Sequence, residues 1–285
     1  MTIRDIFVPL FQHIDFDPQF DATAHLASSL NAHVNVVFTR PDAVMAAASV
    51  PDMLVPAGIV MDAVEREGKI AESSAMARFE RWRVANGLIG ATRTEASSNV
   101  DATWHERVGS VAKTIVDIGR VSDLIVIGSP GHYEHVTEEM FTAAIYSTGR
   151  PTMIVPDRLV GDPLEHVVIA WNGSLQAARA VAGAMPMLRI AKRVSIFTVP
   201  ENPKELAHDL GLIDHLSHHG IRADCLHTGS PSGDVGELLL KTATDVSATM
   251  IVMGAYTHHR VREAFLGGVT LSILKYAEIP VVMMH

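Results

Sequence analysis

The segment TMIVMGAYTHHRVREAFLGGVT, residues 249–270, decides the fold that the sequence predicts. It begins with an apolar run typical of a strand that is buried on both faces. The run ends at Gly254, and a glycine pair follows at Gly267 and Gly268. Glycines after a strand let backbone N–H groups come close to a phosphate, and the start of a following helix adds positive potential. The segment therefore indicates where a ligand site is to be sought.

A second copy of the same pattern lies earlier in the chain. The stretch DLIVIGSPGH at residues 123–132 parallels TMIVMGAYTH, and GRPTMIVP at residues 149–156 parallels EIPVVMMH at residues 278–285. Repetition of this kind indicates that one fold is present twice. The proline- and glycine-bearing stretch PDRLVGDP separates the copies. We therefore predict a first domain at 1–156, a linker at 157–163 and a second domain at 164–285.

Composition narrows the class of protein. The 285 residues suffice for two domains with their own hydrophobic cores. A net charge of −9 leaves no general basic surface, so nucleic acid is not expected as a partner. Cys225 is the only cysteine, which excludes an intrachain disulfide and fits a reducing compartment. With no run of eighteen apolar residues and no signal-peptide pattern, we expect a cytoplasmic protein without a membrane segment.

Apolar, β-rich runs alternate with helical stretches along both halves, which is typical of parallel strands joined by crossover helices. The predicted strands are 5–10, 33–39, 124–128 and 152–155, then 166–171, 193–199, 221–228, 250–254 and 280–284. The predicted helices include 21–30, 61–86, 111–120 and 175–184. Residues 41–60 are an insertion in the first half, which we interpret as a loop and short helix covering the sheet. The alternative is a lid or a surface for a partner.

The stretch HVVIAWNGS, residues 166–174, reads as a strand, a tight turn at Asn172-Gly173 and a helix N-cap at Ser174. A doubly wound sheet would place this turn beside the end of the strand 250–254, at the carboxyl edge where ligands bind. Backbone amides, the Thr270 hydroxyl and the Asn172 amide would then face one pocket. The candidate binding residues are Asn172, Gly173, Val199, Gly254, Thr257, Gly267, Gly268, Val269 and Thr270.

These residues resemble the universal stress protein family, and the resemblance spans nearly the whole chain. The family signature is G-x-x-G, nine residues, then G-(S/T), after a first strand of the type ILVPVDGS. VVIAWNGS is similar to that strand, and Gly254 and Gly267 match the spacing. Three positions depart, because Thr257 replaces the second glycine, Gly268 replaces the serine or threonine, and Asn172 replaces the aspartate.

The resemblance implies two Rossmann-like α/β domains of the adenine nucleotide alpha hydrolase type. Each would have a five-stranded parallel sheet flanked by helices, and the domains would pair through their last strands. The expected ligand is an adenine nucleotide, ATP with Mg²⁺, in the second domain, with the protein acting as a stress-response regulator or sensor rather than an enzyme. The expected assembly is an intrachain pseudo-dimer or a homo-oligomer with an unidentified protein partner.

The first half departs further from the signature. Phe11 stands at the aspartate position, and Phe141-Thr142 stands where Gly-(S/T) would be. We expect the Phe141 side chain to fill the phosphate space, so that the first domain has lost nucleotide binding. Two alternatives for the whole protein remain. One is a nucleotide-free interaction scaffold, and the other is a slow ATPase or a metal-assisted hydrolase.

Histidines and cations outside the signature have two interpretations each. Four histidines share a face of one predicted helix, either as imidazole ligands for a metal or as a solvated polar face, and we favour the polar face. Cations after Gly254 could meet outer phosphates or lie in an exposed turn. The turn after the predicted strand 221–228 could line the pocket or simply connect a strand to a helix. The four histidines are His208, His215, His218 and His219. The cations are His258, His259, Arg260 and Arg262, and the turn residues are Gly229 and Ser230.

Overall fold

The computed structural model describes residues 2–11, 17–50, 55–90, 100–129, 136–199, 205–227, 234–255 and 268–285. Its strands are β1 (Asp5–Phe11), β2 (His33–Arg40), β3 (Ile89–Gly90), β4 (Asp101–Val108), β5 (Leu124–Gly128), β6 (Thr152–Val155), β7 (His166–Ala170), β8 (Arg193–Thr198), β9 (Ala223–His227), β10 (Met250–Gly254) and β11 (Val281–Met284). Its helices are α1 (Asp17–Leu30), α2 (Ala43–Ala48), α3 (Ala57–Ala85), α4 (Val111–Gly119), α5 (Val136–Ser147), α6 (Leu175–Leu188), α7 (Glu205–His218), α8 (Val235–Asp245) and α9 (Gly268–Tyr276).

All the described strands lie in one sheet, in the order β3-β4-β2-β1-β5-β6-β11-β10-β7-β8-β9. Every neighbouring pair is parallel except β6 and β11, which pair antiparallel with Ile154 opposite Val281. On either side of that pair the strands follow the same connectivity, β4-β2-β1-β5-β6 and β9-β8-β7-β10-β11. The predicted α/β class, with parallel strands flanked by helices, is confirmed. The boundaries 1–156, 157–163 and 164–285 stay predictions.

The strand assignment for the first half was incomplete. Sequence reasoning did not locate β4, and it did not anticipate the two-residue β3 beside it, which gives this half a sixth strand. The sequence of β4, DATWHERV, carries five polar or charged residues and becomes exposed toward its end. It therefore lacks the continuous apolar run that revealed the other strands. Its pairing with β2 holds it in place, with Val34 opposite Ala102.

Two hydrophobic layers cover the two faces of the sheet. The first layer includes residues of α1, α3 and α6, and within it Phe20 stacks on Trp82 with ring centroids 4.8 Å apart. Trp82 of α3 is thus buried in this layer. The second layer includes residues of α4, α5, α8 and α9, among them Phe141 and Ile273. Each half therefore buries strands on both faces, as the apolar runs predicted.

The insertion at 41–60 contains the predicted short helix. Asp42 caps α2 by accepting hydrogen bonds from the backbone N–H groups of Val44 and Met45. Only Ala47 of this helix is buried, while Val44 and Met45 are 60% and 69% exposed. The insertion thus presents apolar side chains to solvent. None of the helices that the structure describes is long and apolar enough to cross a membrane.

Candidate functional site

The carboxyl ends of β7, β8 and β10 lie side by side. Ala170 at the end of β7 is opposite Phe197 of β8 on one side and Met253 of β10 on the other. The backbone N–H of Trp171 continues the ladder by donating to the Phe197 carbonyl oxygen at 2.9 Å. The turn after β7, Val199 after β8 and the end of β10 therefore share one edge of the sheet. Ligands of open parallel sheets bind at such an edge.

The turn after β7 has the predicted geometry. Asn172 Oδ1 accepts a hydrogen bond from the Ser174 backbone N–H at 3.1 Å, and Gly173 adopts a φ of +69°. Ser174 Oγ then accepts from the Ala177 N–H at 3.1 Å and caps α6. The predicted turn and N-cap are both present in the structure. The oxygen of the Asn172 amide, which we expected to face the pocket, accepts a hydrogen bond within the turn itself.

Close packing of a helix explains why a glycine stands at position 254, which the sequence did not reveal. A Cβ built on Gly254 would lie 2.6 Å from the backbone N of Ala177 and 2.8 Å from the Gln176 Cβ. The first turn of α6 therefore packs directly on the end of β10, and only glycine allows this approach. Ala255, the next residue, donates its N–H to the Met284 carbonyl oxygen at 2.9 Å. Helix packing alone accounts for a glycine here.

The residues of α9 differ in their exposure. Gly268 is exposed, and among the described residues no other part of the chain comes within 4 Å of where its Cβ would stand. Val269 is partly buried against the second hydrophobic layer, and Thr270 is 1% exposed. The Thr270 hydroxyl thus lies inside the protein rather than on an open surface. Among Gly268, Val269 and Thr270, Gly268 is therefore the residue that the described parts of the chain leave exposed.

Several predicted residues lie outside the described parts of the chain. They are Thr257 and Gly267 of the signature, the cations His258, His259, Arg260 and Arg262, and Gly229 and Ser230. The described candidates divide into two groups. Asn172, Gly173, Val199 and Gly254 are together at the carboxyl edge. Gly268, Val269 and Thr270 are in α9, which packs on α8 near Gly236 and Ser272.

The first half presents aromatic side chains at the corresponding positions. Phe11 is the last residue of β1, where it pairs with Thr39. Phe11 and Phe141 are 8% and 3% exposed, and both belong to the second hydrophobic layer. Phe141, which we expected to fill the phosphate space, is therefore part of the hydrophobic core, and so is Phe11.

The histidine face of α7 makes polar contacts within the chain. The rings of His215 and His219 meet edge to face with centroids 4.8 Å apart. Arg189 Nη2 donates to His219 Nδ1 at 2.9 Å. The lone pair of this ring nitrogen is therefore used in a hydrogen bond. Within the described ranges, no three histidine, cysteine, aspartate or glutamate side chains are arranged to hold a metal ion. The side chain of His208 is outside those ranges.

A buried histidine that sequence reasoning missed lies at the other end of β7. His166 is 4% exposed, with Nδ1 at 3.1 Å from the Val246 carbonyl oxygen and Nε2 at 2.8 Å from Ser195 Oγ. Because a carbonyl oxygen only accepts, Nδ1 donates and the neutral ring accepts the Ser195 hydroxyl at Nε2. Burial lowers the pKa of His166, and the bond to Val246 opposes this in part. The sequence signal that could have revealed this buried histidine is its position as the first residue of an apolar strand.

Comparison with known proteins connects this fold to one family. The universal stress protein family model matches residues 215–285. No curated protein matches the sequence. A universal stress protein from Archaeoglobus fulgidus is similar in structure, with a TM-score of 0.69 and 16% identity over 98% of this chain and 97% of that one. A putative universal stress protein from Pseudomonas aeruginosa gives 0.60 and 11% over 99% and 93%.

The resemblance seen in the sequence is confirmed, because residues 215–285 of the chain match the universal stress protein family model. Its full length also has the fold of solved proteins of that name. The fold extends further, since the cytoplasmic domain of a prokaryotic cation chloride cotransporter gives a TM-score of 0.52 and 9% identity over 99% of this chain and 95% of that one. Function must therefore be argued from the site.

Proposed function

We propose that this chain is a universal stress protein that binds an adenine nucleotide, ATP with Mg²⁺, through its second half and acts as a stress-response regulator or sensor. The observation that carries the proposal is Gly268, which begins the described part of α9 and has no side chain or distant backbone of the described residues within 4 Å of where its Cβ would stand. Backbone N–H groups in the first turn of a helix lack intrahelical partners and favour an anion. Gly268 also falls within the glycine pattern of the family.

Binding rather than turnover is the proposed mode of action. The sequence contains no P-loop G-K-(S/T), so it offers no lysine of that motif to the β- and γ-phosphates. The Asn172-Gly173 turn would bound the adenosine end of the ligand, and the backbone of α9 would face the phosphates. We place the protein in the cytoplasm, and we regard the β6–β11 pairing as the pseudo-dimer interface within one chain.

Calorimetric titration with Mg-ATP tests this proposal. We expect micromolar binding by the parent protein and at least tenfold weaker binding by Gly268→Val, because the new side chain would occupy the space beside the helix amides. The matched control is Gly58→Val in the first turn of α3, where likewise no side chain or distant backbone of the described residues comes within 4 Å of the Cβ position. This control should bind like the parent. No binding by the parent at millimolar Mg-ATP would overturn the proposal.

The second candidate function is a nucleotide-free interaction scaffold. Exposed apolar side chains of the insertion favour it, namely Val44 and Met45 on α2 and Ile59 on α3, which is 60% exposed. Apolar side chains grouped on a surface mark interaction sites more often than isolated ones do. A parent protein that gives no heat with Mg-ATP, yet loses self-association or partner binding in Met45→Glu, would favour this candidate.

A further inference from the structure

Three polar side chains meet where β2 and β4 begin. His33 Nδ1 lies 2.9 Å from Asp101 Oδ1, and His33 Nε2 lies 3.0 Å from Thr103 Oγ1. Both distances are within hydrogen-bonding range. A carboxylate, an imidazole and a hydroxyl are therefore connected in series through the two ring nitrogens. We refer to these three residues as the relay.

The protons of the relay follow from its chemistry. An ionised carboxylate only accepts hydrogen bonds, so the proton of the neutral imidazole is on Nδ1 and points to Asp101. His33 Nε2 is then an acceptor, and the Thr103 hydroxyl donates to it. Asp101 thus orients the ring, and the ring is placed to remove the hydroxyl proton. This is the arrangement by which a base activates a hydroxyl nucleophile.

The strand pairing explains why these side chains come together. Asp101 and Thr103 are two residues apart in β4, so they project from the same face of the sheet. Val34 pairs with Ala102 between them, which brings His33 alongside Asp101. The opposite face of β4 is covered, since Trp104 packs on Phe79 of α3 with ring centroids 5.4 Å apart.

The relay is accessible and has a polar neighbour. The side chains of His33 and Asp101 are 29% and 25% exposed, and Thr103 is partly exposed as well. Asn35 lies directly opposite Thr103 in the strand register. Its Oδ1 is buried without a hydrogen-bond partner in the described part of the protein. The Asn35 amide therefore lies beside Thr103 in the register, and its Nδ2 group is the part that can donate to a substrate oxygen on which charge develops.

We propose that Thr103 is an acyl acceptor and that the relay hydrolyses acyl esters. Thr103 Oγ1 forms a bond to the ester carbonyl carbon while its proton passes to His33 Nε2. The tetrahedral adduct collapses by breaking the bond to the alcohol oxygen, which leaves with the proton from His33. Water then attacks the acylthreonine, with His33 accepting and returning a proton, and releases the carboxylic acid. No oxidation or reduction is involved, and water is the only co-reactant.

The test uses the full-length protein with p-nitrophenyl acetate. We expect a burst of p-nitrophenolate and an acetylated peptide that contains Thr103, identified by mass spectrometry. His33→Gln should slow the burst by about 10²-fold, because it removes the general base. Thr103→Val should remove the acetylated peptide while keeping a β-branched side chain in the strand. The matched control, His105→Gln, removes an exposed imidazole from the same strand and should leave the burst unchanged.

Free imidazoles can also hydrolyse activated esters, so ester hydrolysis by the parent protein does not by itself assign the reaction to Thr103. The comparison of Thr103→Val with the parent protein makes that assignment. Burst rates in Thr103→Val equal to the parent rate, or acetylation confined to other residues, would overturn the proposal, as would the absence of any burst. Urea unfolding shows whether each variant is folded. Should Thr103→Val not fold, Thr103→Ser keeps a hydroxyl and must retain the acetylated peptide, whereas its loss there would contradict the proposed role.

Discussion

The two halves of the molecule share one connectivity but end their first strands differently. In the first half, Phe7 and Phe11 both belong to the second hydrophobic layer, and β1 continues through Phe11. In the second half, Val168 occupies that layer, but β7 ends at Ala170 and the residue four positions after Val168 is the exposed Asn172. The last residue of β1 is thus a buried aromatic side chain, whereas the corresponding position after β7 belongs to an open turn. The same connectivity therefore accommodates different side chains at this position.

The largest effect that would sharpen this comparison is expected from Phe141→Ala. The ring is buried in the second hydrophobic layer of the first half, so its removal leaves a cavity. We expect the free energy of unfolding to fall by about 3–5 kcal/mol. The matched control is Tyr276→Ala at the end of α9, where the ring is 55% exposed and the loss should be below about 0.5 kcal/mol. Equal losses in urea unfolding would contradict the contribution of the buried Phe141 ring to the core of the first half.

A smaller effect is expected at the glycines of the second half. Gly254→Ala places a Cβ against the backbone of α6 at 2.6 Å, so either the strand or the helix must shift. We expect a loss of about 1–3 kcal/mol in the free energy of unfolding. Gly268→Ala enters open space and should be close to neutral.

The same pair of variants separates packing from binding. Gly254→Ala should lower stability, whereas substitution at Gly268 should affect Mg-ATP affinity more than stability. If Gly254→Ala were as neutral as Gly268→Ala in chemical denaturation, the assignment of Gly254 to helix packing would be wrong.

The sequence predicted the apolar strands because each is buried on both faces, as in residues 250–254 and 281–284. It could not predict β4, whose exposed half carries charges, or the role of Gly254, which depends on a helix that begins 79 positions earlier. The relay was equally hidden, since His33 and Asp101 are 68 residues apart. Long-range pairing produces such contacts, and a local pattern does not record them.

Another contrast between the halves concerns the amino ends of their first strands, where β1 begins with Asp5 and β7 with His166. Burial lowers the pKa of His166 in the folded protein, so the unfolded chain binds more protons at acidic pH. The stability that this histidine contributes is complete above its unfolded pKa of about 6.5, and it is lost as the pH falls below that value. The slope is at most about 1.4 kcal/mol per pH unit for one group.

Urea unfolding of the parent protein and of His166→Gln between pH 5 and pH 8 measures this contribution. The two slopes of the free energy of unfolding against pH should differ by at most the equivalent of about one bound proton. The variant should show a shallower decline below pH 6.5 than the parent, although its stability at pH 8 is lower because the bonds to Ser195 and Val246 change. Parallel pH profiles would contradict the assignment of the decline to His166.

The smallest expected effect compares two serine caps. Ser110 Oγ accepts from the Lys113 N–H at 3.3 Å in the first half, and Ser174 Oγ accepts from the Ala177 N–H at 3.1 Å in the second. Replacing either by alanine should cost about 1 kcal/mol, because one N–H of the first turn loses its partner. Only Ser174 adjoins the Asn172-Gly173 turn. If that turn bounds a nucleotide, Ser174→Ala should weaken Mg-ATP binding as well as stability, whereas Ser110→Ala should lower stability alone. Equal affinities in the two variants would mean that the open edge of the second half is a structural turn, and the difference between the halves would then be one of packing only.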